Sequence, residues 1–506
     1  MDFDIIKNIY PFLTKETKEY YIFMLAFIQK YNFPLIDFND FIQKELLLDT
    51  QIPKINIKKI IKNTIHLKKE NINTTNPFIF NIFKKLYIED SDELNKILSS
   101  LINQNNINML VTSISTNNIE LFHHTYDIIN MSTDSFFSNI IYNFKYSEHF
   151  KKFIPEILKN LHDLYHNDKI AIDMYNSRFM SSNIYHDIEK NVKFLHNIKY
   201  DNIDLNIFSN DDNIDEYIYY LTAIKFMTNY FNIKINVDCK LWLTNEKKNI
   251  NFSCSSYKCD TNHPQYGITS NNINSGMTIV SENVSVWRKE EVIKVIFHEL
   301  IHYFCFDCKD NLENYANKLR KIYKLEPNNN IIINEAYTDF LAILFTSIFY
   351  SAIVADKTNI NINNIFDIIL NIEIYFTMFQ VSKILAINNI NNIEKLKRNT
   401  TNDIADINKN LNIFSYYIIK SSLLFNINNM IVFMKNNNSN KNKYFKLTVN
   451  KTVIDDYFNI ILESLENKKF KNTVNIGINY ITTHDYKKIM NTFRMTSFEF
   501  DYKKII

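Results

Sequence analysis

The sequence predicts an α+β chain, predominantly helical, in which a small β-sheet lobe lies next to a helical lobe. Residues 1–200 read as successive helices punctuated by Pro11, Pro34, Pro53, Pro77 and Pro155, and beyond Pro327 no proline interrupts the C-terminal third. Between about 232 and 286, short alternating segments read as strands. A chain of 506 residues exceeds one compact core. Three regions are therefore expected: a helical N-terminal region (1–200) of unassigned role, a central core (201–355) and a helical C-terminal lobe (356–506).

In chain order, a helix is predicted over Asp215 to Tyr230, followed by strands at Ile233–Val237, Lys240–Leu243, Ile250–Phe252 and Met277–Val280. The run from Gly276 to Val284 alternates well enough for one strand, whose edge can pair with an extended peptide. Val292, Ile293, Ile296, Phe297, Leu300, Ile301 and Phe304 then fall at helical spacing, with Ser285 as the expected N-cap. After the loop Pro327-Asn-Asn-Asn330, Glu335 opens a second apolar helix. Its uncharged run, Phe340 to Ala355, has 16 residues, short of the roughly 20 that span a bilayer, so a buried core helix and no membrane span are expected. A turn is expected at Gly477.

The chemistry concentrates in His298-Glu299-Leu300-Ile301-His302. Imidazoles four residues apart on a helix project from one face and can hold one metal ion. Glu299, between them, can take a proton from a water that zinc brings to a pKa of about 7. Such a site needs a third protein ligand, and Glu335 is the best candidate, with Asp339 one turn on, able to accept the far N–H of a ligand histidine. Glu313 and Glu326 compete less well, since neither opens an apolar helix or has an acid one turn later. Cys305 and Cys308 occupy the places where a metzincin has glycine and histidine, which disfavours that pattern.

His298-Glu-x-x-His302 followed by Glu335-x-x-x-Asp339 resembles the gluzincin zinc metallopeptidases, the thermolysin-like group. The resemblance covers about residues 276–345. It implies a zincin-like core in which His298, His302 and Glu335 bind one zinc, Glu299 is the general base and Asp339 stands behind a ligand histidine. It also implies a protein or peptide substrate. The gap from His302 to Glu335 is longer than in thermolysin and nearer to that of the clostridial neurotoxin light chains, which also carry H-E-L-I-H. Family members often draw an oxyanion donor from far downstream, where Tyr480, His484, Tyr486 and Arg494 are available; His484 is preferred because Asp485 and Gly477 hint at a turn.

Cys254-x4-Cys259 and Cys305-x2-Cys308 could together form a second, structural zinc site; the alternative is reduced cysteines without metal. His162-x3-His166 has ligand spacing but no matching third ligand. Nine of the ten Trp, Cys and Gly residues fall between 239 and 308, which supports a catalytic core there. An odd cysteine count and the acidic start Met1-Asp-Phe-Asp4 point to a reducing, cytoplasmic compartment. The net charge of +2 and five scattered arginines give no footprint for nucleic acid. Abundant Asn, Ile and Lys with scarce Gly, Pro and Arg reflect an A/T-rich genome, such as that of a large DNA virus or a protist. The alternative to an enzyme is a catalytically inactive relative serving as a binding or structural, even virion, component.

Overall fold

The computed structural model describes residues 3–66, 182–249 and 273–502, apart from 39–45, 48–49, 212–215, 281, 308–311, 324, 326–329, 389, 398–411, 438–444, 448–449 and 485–487. Residues 1–67 and 179–506 pack as one unit and 68–178 as another. The expected boundaries at 200 and 355 both fall inside the first unit. The cysteine pair Cys254 and Cys259, Cys308, the strand at Ile250–Phe252, Tyr486 and the His162/His166 pair lie outside the described residues.

Two N-terminal helices, α1 (Phe3–Ile9) and α2 (Lys15–Lys30), precede strand β1 (Ile61–His66). The chain then gives α3 (Ser182–Asn191), β2 (Phe194–Tyr200), β3 (Ile203–Ser209), α4 (Tyr217–Tyr230), β4 (Val237–Thr244), β5 (Gly276–Ile279) and β6 (Asn283–Arg288). The six strands form one mixed sheet in the order β1-β2-β3-β4-β6-β5, with β3, β4 and β6 parallel and β5 antiparallel at an edge. Helical structure follows: α5 (Val292–Tyr303), α6 (Glu313–Tyr323), α7 (Ile333–Thr358), α8 (Ile362–Ile387), α9 (Lys420–Phe425), α10 (Ile427–Asn437), α11 (Lys451–Glu466), α12 (Lys468–Thr483) and α13 (Lys488–Asn491). The fold is thus predominantly helical with one small sheet, as the sequence predicts.

Several local expectations are corrected. The N-terminal 200 residues are not all helical, since β1 and β2 belong to the sheet. The expected strands at 233–237 and 240–243 are a single strand, β4, preceded by a coil. The run 276–284 is a hairpin rather than one strand, because the chain turns between Ile279 and Asn283. Ser285 therefore lies in β6 and caps nothing; α5 starts after Glu291, whose φ of 60° reverses the chain from strand to helix. Gly477 makes no turn. It sits inside α12, where a Cβ would overlap Ser382 of α8, so its missing side chain sets the closeness of that helix pair.

Helices α7 and α8 are long and apolar enough to cross a membrane by length and composition. In the fold both are core elements, with 94% of the most apolar window of α7 and all of that of α8 covered by protein. Some polar groups inside this core are paired: Asn371 of α8 binds both the N–H and the carbonyl of Ile36, and Gln380 donates to the carbonyl of Arg494.

The turn into α5 also holds a carboxyl that resists ionisation. Burial pushes Glu290 up to about 7, against the pull of Arg494 and with a further push from Glu291. A folded pKa above the unfolded one means stability that is fully present below about 4.5 and is lost as pH rises through 7. Glu290→Gln, which keeps an acceptor for the Lys248 N–H but cannot ionise, should gain up to about 3 kcal/mol over wild type between about pH 5 and about pH 8. Denaturant melts of both proteins across that range measure it, and parallel pH profiles would refute it.

Candidate metal centre

Helix α5 packs on the sheet and on α7, so His298 and Glu299 are buried and His302 is half-buried where the two lobes meet. His298 and His302 point their Nε2 atoms at one place, 3.1 Å apart, and Glu335 of α7 brings Oε2 to 3.3 Å from the first and 3.4 Å from the second. Zinc–ligand bonds of about 2.0–2.1 Å at tetrahedral angles require ligand atoms roughly 3.3–3.4 Å apart. The triangle fits that requirement. Side chains of His302 and Glu335 are each 17% exposed, which leaves the centre reachable from solvent.

Each imidazole is fixed from behind by its own carboxylate. Asp339 Oδ1 lies 3.0 Å from His298 Nδ1, and Asp307 Oδ2 lies 3.0 Å from His302 Nδ1. With Nδ1–H donated backwards, each Nε2 lone pair faces the shared point. Burial would lower both histidines, but Asp339 and Glu335 raise His298, and Glu335 and Asp307 raise His302 well above its ordinary value. Burial likewise opposes ionisation of Glu335, yet His302 and His298 hold its carboxyl far below the usual range.

Glu299 lies one residue on from His298. Its Oε2 accepts from the Thr278 hydroxyl of β5 at 2.7 Å, and the same hydroxyl lies 2.9 Å from the Glu299 carbonyl. Room for the carboxylate comes from Gly276, where a Cβ would stand 2.7 Å from Glu299 Oε1 and 2.8 Å from Val295. Tyr416 completes the surround. It sits in a π-helical stretch, Phe414–Ile419, with its ring 6.0 Å from that of His298, and shares a cavity wall with Glu299 and Asp339. Burial, then Glu335 and Asp339, push its phenol well up, so it remains a proton-bearing donor.

The structure brings together His298, Glu299, His302, Glu335 and Asp339, as expected from the sequence. It does not bring His484 to them. That side chain caps α12, stacks on Tyr480 and lies 3.2 Å from Lys30 Nζ, because α12 packs along α8 and α2 rather than toward the motif. Arg494 is also elsewhere, paired with Glu499 under the α5 turn. Sequence reasoning missed Asp307, Thr278 and Tyr416. Asp307 could have been found by asking of His302 what was asked of His298, namely which nearby acid takes its far N–H. Of the four-cysteine alternative only Cys305 is described: it is half-buried, at φ 55° in the turn that ends α5.

Comparison with known proteins adds a viral relationship. The chain is 27% identical over 261 residues to an uncharacterized protein of Acanthamoeba polyphaga mimivirus, an overlap of 50% of this chain and 67% of that one. No family model matches and no solved structure matches.

Zinc and protons compete for the two Nε2 atoms that face the shared point, and the neighbouring carboxylates raise both histidines, so zinc binding depends on pH. Calorimetric zinc titrations between about pH 5 and about pH 8 should show affinity falling as pH drops. Asp307→Asn should weaken zinc by about 10- to 100-fold, while a zinc affinity indifferent to pH would contradict ligation through the two imidazoles.

Proposed function

We propose that this chain is a zinc-dependent metallopeptidase that hydrolyses peptide bonds. The observation that carries the reading is the triangle of His298 Nε2, His302 Nε2 and Glu335 Oε2, at zinc-compatible spacings, with the Glu299 carboxylate placed beside it on the same helix. Bound there, zinc would supply carbonyl polarisation and a water acidified to a pKa of about 7.

Glu299 takes one proton from the attacking water as the water oxygen bonds to the scissile carbonyl carbon. The same carboxyl then gives that proton to the departing nitrogen as the C–N bond breaks, leaving a carboxylic acid and an amine. Thr278 holds Glu299 in the orientation for both transfers. Among the described residues, Tyr416, on the wall shared with Glu299 and beside the His298 ring, is placed to donate its hydroxyl to the developing oxyanion. Strand β5 pairs only with β6 among the described residues, so its outer edge can receive an extended substrate backbone in register. The viral relative makes a viral source consistent with the reading, as does the A/T-biased composition.

Glu299→Gln should keep one zinc per chain and lose peptide cleavage, whereas unchanged turnover would remove Glu299 as the base and a zinc-free wild type would remove the centre altogether. Tyr416→Phe should keep zinc and lower kcat on the order of 10²-fold with little change in KM, since an oxyanion donor acts mainly in the transition state. Gly276→Ala should impair turnover while retaining zinc, because the added methyl displaces the Glu299 carboxylate rather than a ligand. Steady-state kinetics with elemental analysis on the same preparations decide all three.

A further inference from the structure

Beside the metal centre lies a small cavity of about 40 Å³, bounded by Lys248, Ser275, Gly276, Lys294, Glu299 and Tyr416. It opens on the Glu299 side, against the turn of α5 that precedes His298. A glutamate that relays the water's proton to the departing nitrogen must lie toward the amine half of the substrate. The residue that follows the scissile bond therefore directs its side chain here. This step rests on the hydrolase reading above.

The polar wall of the cavity sets three donor side chains beside two carboxylates. Lys248 carries three N–H groups and has one carboxylate partner among the described residues, Glu291, at 2.8 Å. Lys294 pairs with Asp339 and lies 3.4 Å from Met495 Sδ. Ser275 Oγ is buried and has no hydrogen-bond partner among the described residues. The two carboxylates in the wall are already engaged, Glu299 by Thr278 and Asp339 by His298, Lys294 and Lys420. The remaining wall includes Ile273, Val295 and Met495, which exclude water and strengthen any charge pairing inside. An orphan hydroxyl sharing the wall with two ammonium groups suits a guest with acceptors and negative charge, and it disfavours an apolar or cationic one.

We infer that this cavity selects a carboxylate on the amine side of the scissile bond, either an aspartate or glutamate side chain or the carboxyl end of the substrate. The zinc-loaded full-length protein is incubated with a mixed peptide library, and cut sites are mapped by mass spectrometry. Aspartate and glutamate should be enriched about tenfold over asparagine and glutamine directly after the cut. Equal enrichment in carboxamide-blocked peptides assigns the side chain, while cutting confined to the last bond of free-acid peptides assigns the chain end. Ser275→Ala and the charge-balanced pair Lys248→Met with Glu291→Gln should both reduce the acid preference severalfold. Preference for apolar or basic residues at that position, or an acid preference untouched by both variants, would overturn the inference.

A second arm needs no turnover. N-hydroxysuccinamic acid, a metal-binding hydroxamate with a free carboxylate, should bind the zinc-loaded protein about tenfold more tightly than its carboxamide counterpart. Equal binding overturns the cavity assignment even if peptides are cut. Acid-selective binding without any peptide cleavage upholds the cavity and sinks the hydrolase reading instead.

Discussion

Asp339 is the group around which the centre is organised. Its carboxylate is fully buried and faces three partners from two other elements: Lys294 and His298 of α5, and Lys420 of α9. Burial alone would push Asp339 toward its neutral form, but the two ammonium groups and the imidazole hold it well below the ordinary aspartate range. A buried ion cluster of this kind costs several kcal/mol per charge to desolvate, so its return is in specificity more than in stability. Only one relative placement of α5, α7 and α9 satisfies all three partners, and that placement sets the His298 ring and brings the Tyr416 helix alongside it.

A second set of buried carboxylates anchors the chain's last described residues against the same helix. Glu291, at the start of α5, accepts from Lys248 and from the N–H groups of Met495 and Thr496; Glu373 of α8 accepts from Thr496, Ser497 and Phe498. The segment that follows pairs with the N-terminal region, through Thr14 N–H to the Glu499 carbonyl and Asp501 N–H to the Phe12 carbonyl. Met495 thereby reaches the cavity wall. Residues far apart in sequence thus shape the surroundings of a motif that is itself five residues long, and these contacts tie the N-terminal helices and residues 495–501 into the same core.

The legible parts of the sequence were those where spacing and chemistry coincide. The α5 helix carries an unbroken apolar face, and α7 repeats it after a loop, so both helices and the His298, His302, Glu335 and Asp339 set followed directly. The β2–β3 hairpin did not follow, because its strands mix Asn, Lys and Asp with Ile in a chain rich in all of them. The usable signal was the turn at Asp201-Asn202, where Asp201 adopts φ 51°. Tyr416 is one of 31 tyrosines and owes its position to a π-helical stretch that no local pattern announces. His484 was chosen for its neighbours in sequence, and the packing of α12 on α8 decided otherwise.

Charge accounting ties the two histidines to the nature of their guest. Around the centre stand four carboxylates, Glu299, Asp307, Glu335 and Asp339, and two ammonium groups, Lys294 and Lys420. With both imidazoles neutral, the cluster carries two negative charges in excess, buried beside apolar walls where such an imbalance is expensive. Two protons on the imidazoles remove it, which is the direction in which the carboxylates push them. One dication removes it equally well and adds the coordination bonds that the converging Nε2 and Oε2 atoms offer. Under the proposed reading, a monovalent ion would leave the charge uncompensated and a trivalent one would reverse it, so a dication would suit the surroundings in charge as it suits the triangle in size.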